Sequence, residues 1–139
     1  MKQKLGSILL IDDDAATNFI NAHLLKKIDC AEDITVKENG QEAIDYLKQA
    51  CLEGKSTDLI FLDINMPRMN GWEFLEAYTN IEHPEGEQTV IVMLTTSPLL
   101  EDQLKANAIK VVAEFRNKPL NKEMLQGVLQ RHFPSLACV

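Results

Sequence analysis

The stretch Asp58 to Phe74, DLIFLDINMPRMNGWEF, constrains this chain more than any other segment. Leu59, Ile60, Phe61 and Leu62 form an uninterrupted apolar run, the pattern of a strand covered on both faces in a parallel sheet between helices. Asp63 stands at the carboxyl end of that strand. In an open α/β sheet the crevice beyond the strands' carboxyl ends collects ligands and chemistry, so a carboxylate there is placed for reaction rather than packing. Pro67 biases Met66 toward an extended conformation, and Asn70-Gly71 supplies a turn before Trp72, Phe74 and Leu75 begin a helical pattern. The acid is therefore held on a tight strand-to-loop corner.

The same alternation runs through the rest of the chain. Ile8 to Ile11 reads as the first buried strand, followed by Asp12, Asp13 and Asp14. Phe19, Ile20, Leu24 and Ile28 then fall on one helical face, with Asn18, Asn21, Lys26 and Lys27 elsewhere. Ile34 to Lys37 is a short second strand closed by Asn39-Gly40, and Ala43, Ile44, Leu47, Ala50 and Cys51 give the next helical stripe. After the helix from about Gly71 to Tyr78, Thr79 to Gln88 is a polar connection with Pro84 and Gly86, read as an exposed loop. Thr89 to Leu94 is a fourth strand. Ser97 is placed to cap the following helix with Pro98 at its first position, and Leu100, Leu104 and Ala108 mark its buried face. Lys110 to Phe115 is the fifth strand, ending at Asn117-Lys118-Pro119. Asn121 caps a last helix in which Met124, Leu125, Val128, Leu129 and His132 recur at helical spacing. Five strands alternating with five helices predict an α/β, doubly wound sheet.

A chain of 139 residues fits one domain on the usual scale of about 150 residues per domain, with a core over about 6–133 and a short tail. The 45% hydrophobic and 25% charged composition is that of an ordinary globular protein. A formal net charge of −7 opposes phosphate backbones and anionic bilayers, which argues against nucleic-acid or membrane partners. Cys30, Cys51 and Cys138 form no CxxC pair and no even-numbered framework, so they read as reduced thiols. Ile8 to Ile11 is too short for a signal-peptide core, and no apolar run approaches the ~20 residues of a membrane span. These features point to the cytoplasm. His23, His83 and His132 show no metal or triad spacing, and Met66 and Met69 read as loop anchors.

Four motifs, LLIDDD near the amino terminus, LDINMPRMNGWEF, LTTS at 94–97 and NKPL at 117–120, lie in order at the ends of successive strands. Together they resemble the receiver domain of two-component response regulators, of the single-domain chemotaxis-regulator type, from about Ile8 to Phe133. The resemblance implies a flavodoxin-like five-stranded parallel sheet of order 2-1-3-4-5. Strands one and three are then neighbours, and Asp12, Asp13 and Asp63 meet. Each close pair of carboxylates repels by about 1 kcal/mol at water's dielectric and about 4 at an effective value of 20, so a positive group must sit among them. The ammonium of Lys118 and a bound divalent cation are the two candidates, and oxygen-only ligands suit Mg²⁺, with Mn²⁺ as the substitute.

The family pattern further implies that Asp13 and Asp63 bind the metal directly, that the backbone carbonyl of Asn65 is a third ligand, and that Asp12 acts through water. It makes Asp63 the acceptor of a phosphoryl group from a sensor histidine kinase or histidine phosphotransfer protein, assisted by Lys118 and the Thr95 hydroxyl. Self-phosphorylation and autodephosphorylation are then the only chemistry, and the chain is not an enzyme in the ordinary sense. Thr95 and Phe115 match the family's switch pair. Their movement would remodel the face made by the fourth helix, fifth strand and fifth helix, where an unknown downstream protein binds. The resemblance also implies a cis peptide before Pro119.

Plainer readings stand beside these. Asp12 to Asp14 also suit a helix amino terminus favoured by the dipole, and for Asp14 this is the better reading. Thr95 is a natural strand former, Phe115 a core aromatic and Lys118 an ordinary strand-end lysine. At the level of function, a Mg²⁺-dependent phosphohydrolase of the haloacid dehalogenase type also uses a strand-end aspartate with a threonine and a lysine. It expects a second acid where Asn65 stands. A receiver-like binding module without switching is the third reading. Two departures from the family are visible: Val111-Val112 replaces a common Gly-Ala pair, leaving Asn107 as the expected helix stop, and Thr96 is larger than the usual alanine. Thr96 narrows access to Asp63 while Asn65 is placed to orient a water, and the two push the phosphoryl lifetime in opposite directions.

Overall fold

A computed structural model describes residues 4–84, 86, 88–96 and 99–136. The elements are β1 (Leu5–Ile11), α1 (Ala15–Ile28), β2 (Ala31–Lys37), α2 (Gly40–Leu52), β3 (Leu59–Asp63), α3 (Gly71–Asn80), β4 (Val90–Thr95), α4 (Leu100–Ala108), β5 (Val112–Asn117) and α5 (Lys122–His132). All neighbouring strands pair parallel, and the order is β2-β1-β3-β4-β5. Ile11 is opposite Leu62, Asp63 opposite Leu94, and Thr95 opposite Asn117. This register brings Asp12, Asp63, Thr95 and Lys118 to one edge of the sheet.

The central strands are apolar throughout because both faces are covered. Leu9, Ile11, Ile60, Leu62, Ile91 and Met93 pack with Ile44, Leu47, Phe74 and Leu75 of α2 and α3. Ile8, Leu10, Phe61, Val92 and Leu94 face the other way, onto Leu25 of α1 and Leu125, Val128 and Leu129 of α5. The stripes expected for α2 and α5 are therefore the buried ones, with Cys51 half-buried at the end of its stripe.

Two helices turn differently from expectation. In α1, Phe19 and Ile20 are 74% and 61% exposed, and the inward residues are Asn18, Asn21 and Leu25. The first half of this helix lies over the polar end of the sheet, where the Asn18 amide donates to the Asp12 carbonyl at 2.7 Å. In α4, Leu100 and Leu104 are 70% and 59% exposed, Ala108 is exposed, and the small Ala106 makes the close approach. Asn107 does not stop α4; it lies within the helix, which ends at Ile109 in an extended conformation. The Ser97-Pro98 helix start lies outside the described residues, and the described amino-terminal cap is Leu99, without a side-chain bond. β2 begins earlier than its apolar core, β5 is shifted toward Asn117, and α3 continues through Asn80. The Lys118-Pro119 peptide is cis.

Candidate functional site: an acid pocket with one lysine

Each side chain at the sheet edge is positioned by local chemistry. Asp12 closes β1, its amide donating to Lys37 O at 3.1 Å, and its Oδ1 accepts from the Asp14 amide at 2.9 Å. Asp14 caps α1, accepting from the Ala16 amide at 3.0 Å and the Thr17 hydroxyl at 2.8 Å, so it is a structural acid. The hydroxyl of Thr17 and that amide hold its carboxyl below the usual range.

The corner after Asp63 depends on glycine. A Cβ on Gly71 would lie 2.7 Å from the Asp63 carbonyl and 3.0 Å from Ile64 Cα, a separation no larger side chain tolerates. Asn70 and Glu73 form a reciprocal capping box that starts α3 at this point. The intervening loop is anchored by buried Met66 and by Met69, which packs so closely on Gly40 that a Cβ there would be 2.7 Å away. Both methionines are thus anchors.

Carboxylate oxygens of Asp12, Asp13 and Asp63 lie within 4.8 Å of one another. Asp12 and Asp63 are buried and Asp13 is exposed. The Lys118 ammonium donates to Asp12 Oδ2 at 2.6 Å and lies 3.1 Å from Asp63 Oδ1. Burial, then the neighbouring Asp12 charge, pushes the Asp63 carboxyl up to about 6 against the pull of Lys118. Burial pulls the Lys118 ammonium down, but its bonds to Asp12 and Asp63 outweigh this and hold it above its ordinary value. One ammonium does not balance three acids, and an all-oxygen donor set with residual negative charge fits a hard divalent cation. Among the described residues no other group of His, Cys, Asp and Glu has metal-binding geometry.

Thr95 is buried at the end of β4, and its carbonyl accepts from the Lys118 amide at 2.7 Å. Phe115 is half-buried against the α2–α3 side of the core, paired in register with Met93. Asn65 and Thr96 are exposed at the pocket's rim. The sequence reading passed over Asn18 and Asn21, buried behind the pocket, and the only signal was two amides three residues apart. It also missed Glu114, which accepts from Arg116, Arg131 and His132, so His132 belongs to an ion network. His83 bonds the Tyr78 carbonyl at 2.8 Å and stacks on its ring, and His23 is exposed.

A parallel sheet of this order, with an acid trio and a lysine gathered at its carboxyl edge, defines a flavodoxin-like α/β protein of the receiver fold. The chain belongs to the response regulator receiver domain family, whose description matches residues 8–130. It is 28% identical over 132 residues to protein PilG of Pseudomonas aeruginosa, covering 95% of this chain and 90% of PilG. The hybrid signal transduction histidine kinases L and B of Dictyostelium discoideum also match, but the chain spans only 7% of each. Among solved structures, a two-component response regulator from Cytophaga hutchinsonii superposes with a TM-score of 0.87 at 31% identity, covering 96% of this chain and all of that one. The receiver domain of sensor histidine kinase PA1611 from Pseudomonas aeruginosa, solved with a magnesium ion in its active-site cleft, shares the fold. Its TM-score is 0.74 at 21% identity, over 94% of this chain and 98% of that one. Phosphorylation on aspartate and Mg²⁺ binding in an acidic pocket are general features of this two-component family of signalling domains. Among the described residues no helix is long and apolar enough to cross a membrane.

Proposed function

We propose that this protein is a phosphorylation-dependent interaction switch in which Asp63 is the phosphoacceptor. The observation that carries the reading is the ammonium of Lys118 bridging Asp12 and Asp63, in a pocket still short of positive charge. An oxygen of Asp63 attacks the phosphorus of a phosphohistidine on a sensor kinase or phosphotransfer protein. The O–P bond forms as the P–N bond breaks, and the imidazole leaves with its electron pair. Lys118 neutralises charge on the transferring oxygens, and the Thr95 hydroxyl donates to them once they are in place. Asp13, Asp63 and the Asn65 carbonyl would hold Mg²⁺ directly, with Asp12 acting through water. Bound there, the ion shields the acids from the incoming anion; the magnesium ion of the PA1611 receiver supports this assignment.

Movement of Thr95 toward the phosphoryl group lets Phe115 shift inward, a population change between two packings rather than a new fold. The readout is the α4–β5–α5 face, where exposed Leu99, Leu100 and Leu104 offer apolar contact to a downstream protein. We place this switch in the cytoplasm, alongside the kinase or phosphotransfer protein that supplies its phosphoryl group. Intact-mass analysis after incubation with acetyl phosphate and Mg²⁺ tests the core of the reading. A single phosphoryl adduct is expected on wild type and none on Asp63→Asn; an adduct on both would move the acceptor elsewhere.

A further inference from the structure

Where α1 passes behind the acid pocket, its inward face carries Asn18 and Asn21, 3% and 5% exposed. A helix over a sheet normally offers hydrocarbon at such positions. Asn18 Nδ2 donates to the Asp12 carbonyl at 2.7 Å, but its Oδ1 is buried without a hydrogen-bond partner. A buried amide oxygen in this condition calls for an explanation, because nearly all such groups are satisfied by protein or ordered water. Beside it lies a cavity of about 10 Å³ whose wall includes Asn18, Asn21, Asp12, Asp63, Phe61 and Leu94. That is the space one water occupies, and the wall supplies the polar partners a buried water requires.

We propose that this cavity holds one ordered water joining the Asn18 amide oxygen, the Asn21 amide and the Asp63 carboxylate, and that Asn18 and Asn21 are positioning residues for Asp63. The inference rests on Asp63 being the phosphoacceptor. The water donates one hydrogen to Asn18 Oδ1 and the other to Asp63, and accepts from Asn21 Nδ2, which satisfies the orphaned oxygen. Among the described residues, the cation that restrains Asp63 is Lys118, from one side, at 3.1 Å and while bonded more closely to Asp12 at 2.6 Å. A second restraint from the helix side fixes the plane of the carboxylate and presents one oxygen to the crevice. Fixing a nucleophile's orientation acts on the rate at saturating donor and Mg²⁺, leaving donor binding unchanged.

The test compares wild type, Asn21→Leu, Asn18→Leu, Asn21→Ser and Asp63→Asn in acetyl phosphate and Mg²⁺ titrations followed by intact mass, with thermal melts of each. Both leucine variants are expected to fold and to lose about tenfold in maximal phosphorylation rate, since small misplacements of reacting groups cost this much or more; Asn21→Leu melts no lower than wild type, whereas Asn18→Leu, which also strips the Asp12 carbonyl of its donor, melts lower. The half-saturating concentration of donor, measured at saturating Mg²⁺, stays the same. Asn21→Ser, which keeps a polar partner for the water, recovers most of the rate, whereas a purely packing role predicts no such rescue. A high-resolution crystal structure should place a water within hydrogen-bond distance of Asn18 Oδ1 and show it displaced in Asn21→Leu. Wild-type rates in both leucine variants, a loss confined to the half-saturating concentration of donor, or no water at Asn18 would overturn the proposal. An adduct on Asp63→Asn instead sinks the acceptor reading on which it rests.

Discussion

Asp63 and Glu114 are two carboxylates of nearly equal exposure, with side chains 8% and 10% accessible, and they are held in opposite ways. Burial pushes both upward. Around Glu114 the push is overcome by Arg131, Arg116 and His132, bonded at 2.7–2.9 Å, and its carboxyl is pulled down to about 2. Asp63 shares one ammonium with Asp12 and is pushed up to about 6. The number of cationic donors separates the two. Glu114 is a completed brace between β5 and α5; the pocket at Asp63 is left with charge to spare, which is what a site that receives a cation and a phosphoryl group requires.

The largest expected effect comes from removing the shared ammonium. Lys118→Ala should slow adduct formation on Asp63 by about a hundredfold or more by intact mass, whereas Arg131→Ala, which takes a cation from Glu114, should leave that rate at the wild-type level. Mg²⁺ should distinguish the regions next. At a hundred times its Kd it should stabilise the protein by about 2.7 kcal/mol in urea unfolding; Asp63→Asn should lose most of this gain and Glu114→Gln should keep it. Glu114→Gln itself should cost about 1 kcal/mol, a figure discounted because its arginine partners are half in solvent; a loss as large as that of a buried leucine truncation would mean the brace is more deeply coupled to the core.

The smallest effect is in the pH profile of stability without metal, where the two acids should bend the curve in opposite directions. Because Asp63 is raised in the folded state, its contribution is complete below the ordinary value of 3.8 and is lost as pH rises through about 6. Glu114 is lowered, so its contribution is present above 4.5 and is lost as pH falls toward 2. Asp63→Asn should remove the decline between 3.8 and 6, and Glu114→Gln should flatten the acid limb. Identical profiles in both variants would erase the contrast.

The same contrast explains what the sequence made legible. Buried parallel strands write themselves as apolar runs, and an acid directly after such a run needs no tertiary knowledge to be placed at the sheet edge; hence β1, β3, Asp12, Asp63 and Lys118 were readable. Helix faces were readable only where hydrocarbon decides orientation, as in α5 with Leu125, Val128 and Leu129. In α1 the polar sheet edge decides it instead, turning Asn18 inward and Phe19 outward, and periodicity carries no record of that edge. In α4 the approach is made by Ala106, whose small size lets the longer leucines stay outside, and apolar spacing alone favours the leucines. Glu114 was invisible because two of its three partners, Arg131 and His132, lie 17 and 18 residues away on α5.

The bond from the Lys118 amide to the Thr95 carbonyl has a mechanical meaning. It yokes the hydroxyl-bearing residue and the ammonium-bearing residue through a single backbone hydrogen bond, so a tug on one is delivered to the other. In the switch proposed above, a phosphoryl group touching either side chain would pull on two strand ends together, and the outer edge of the sheet would move as one lever.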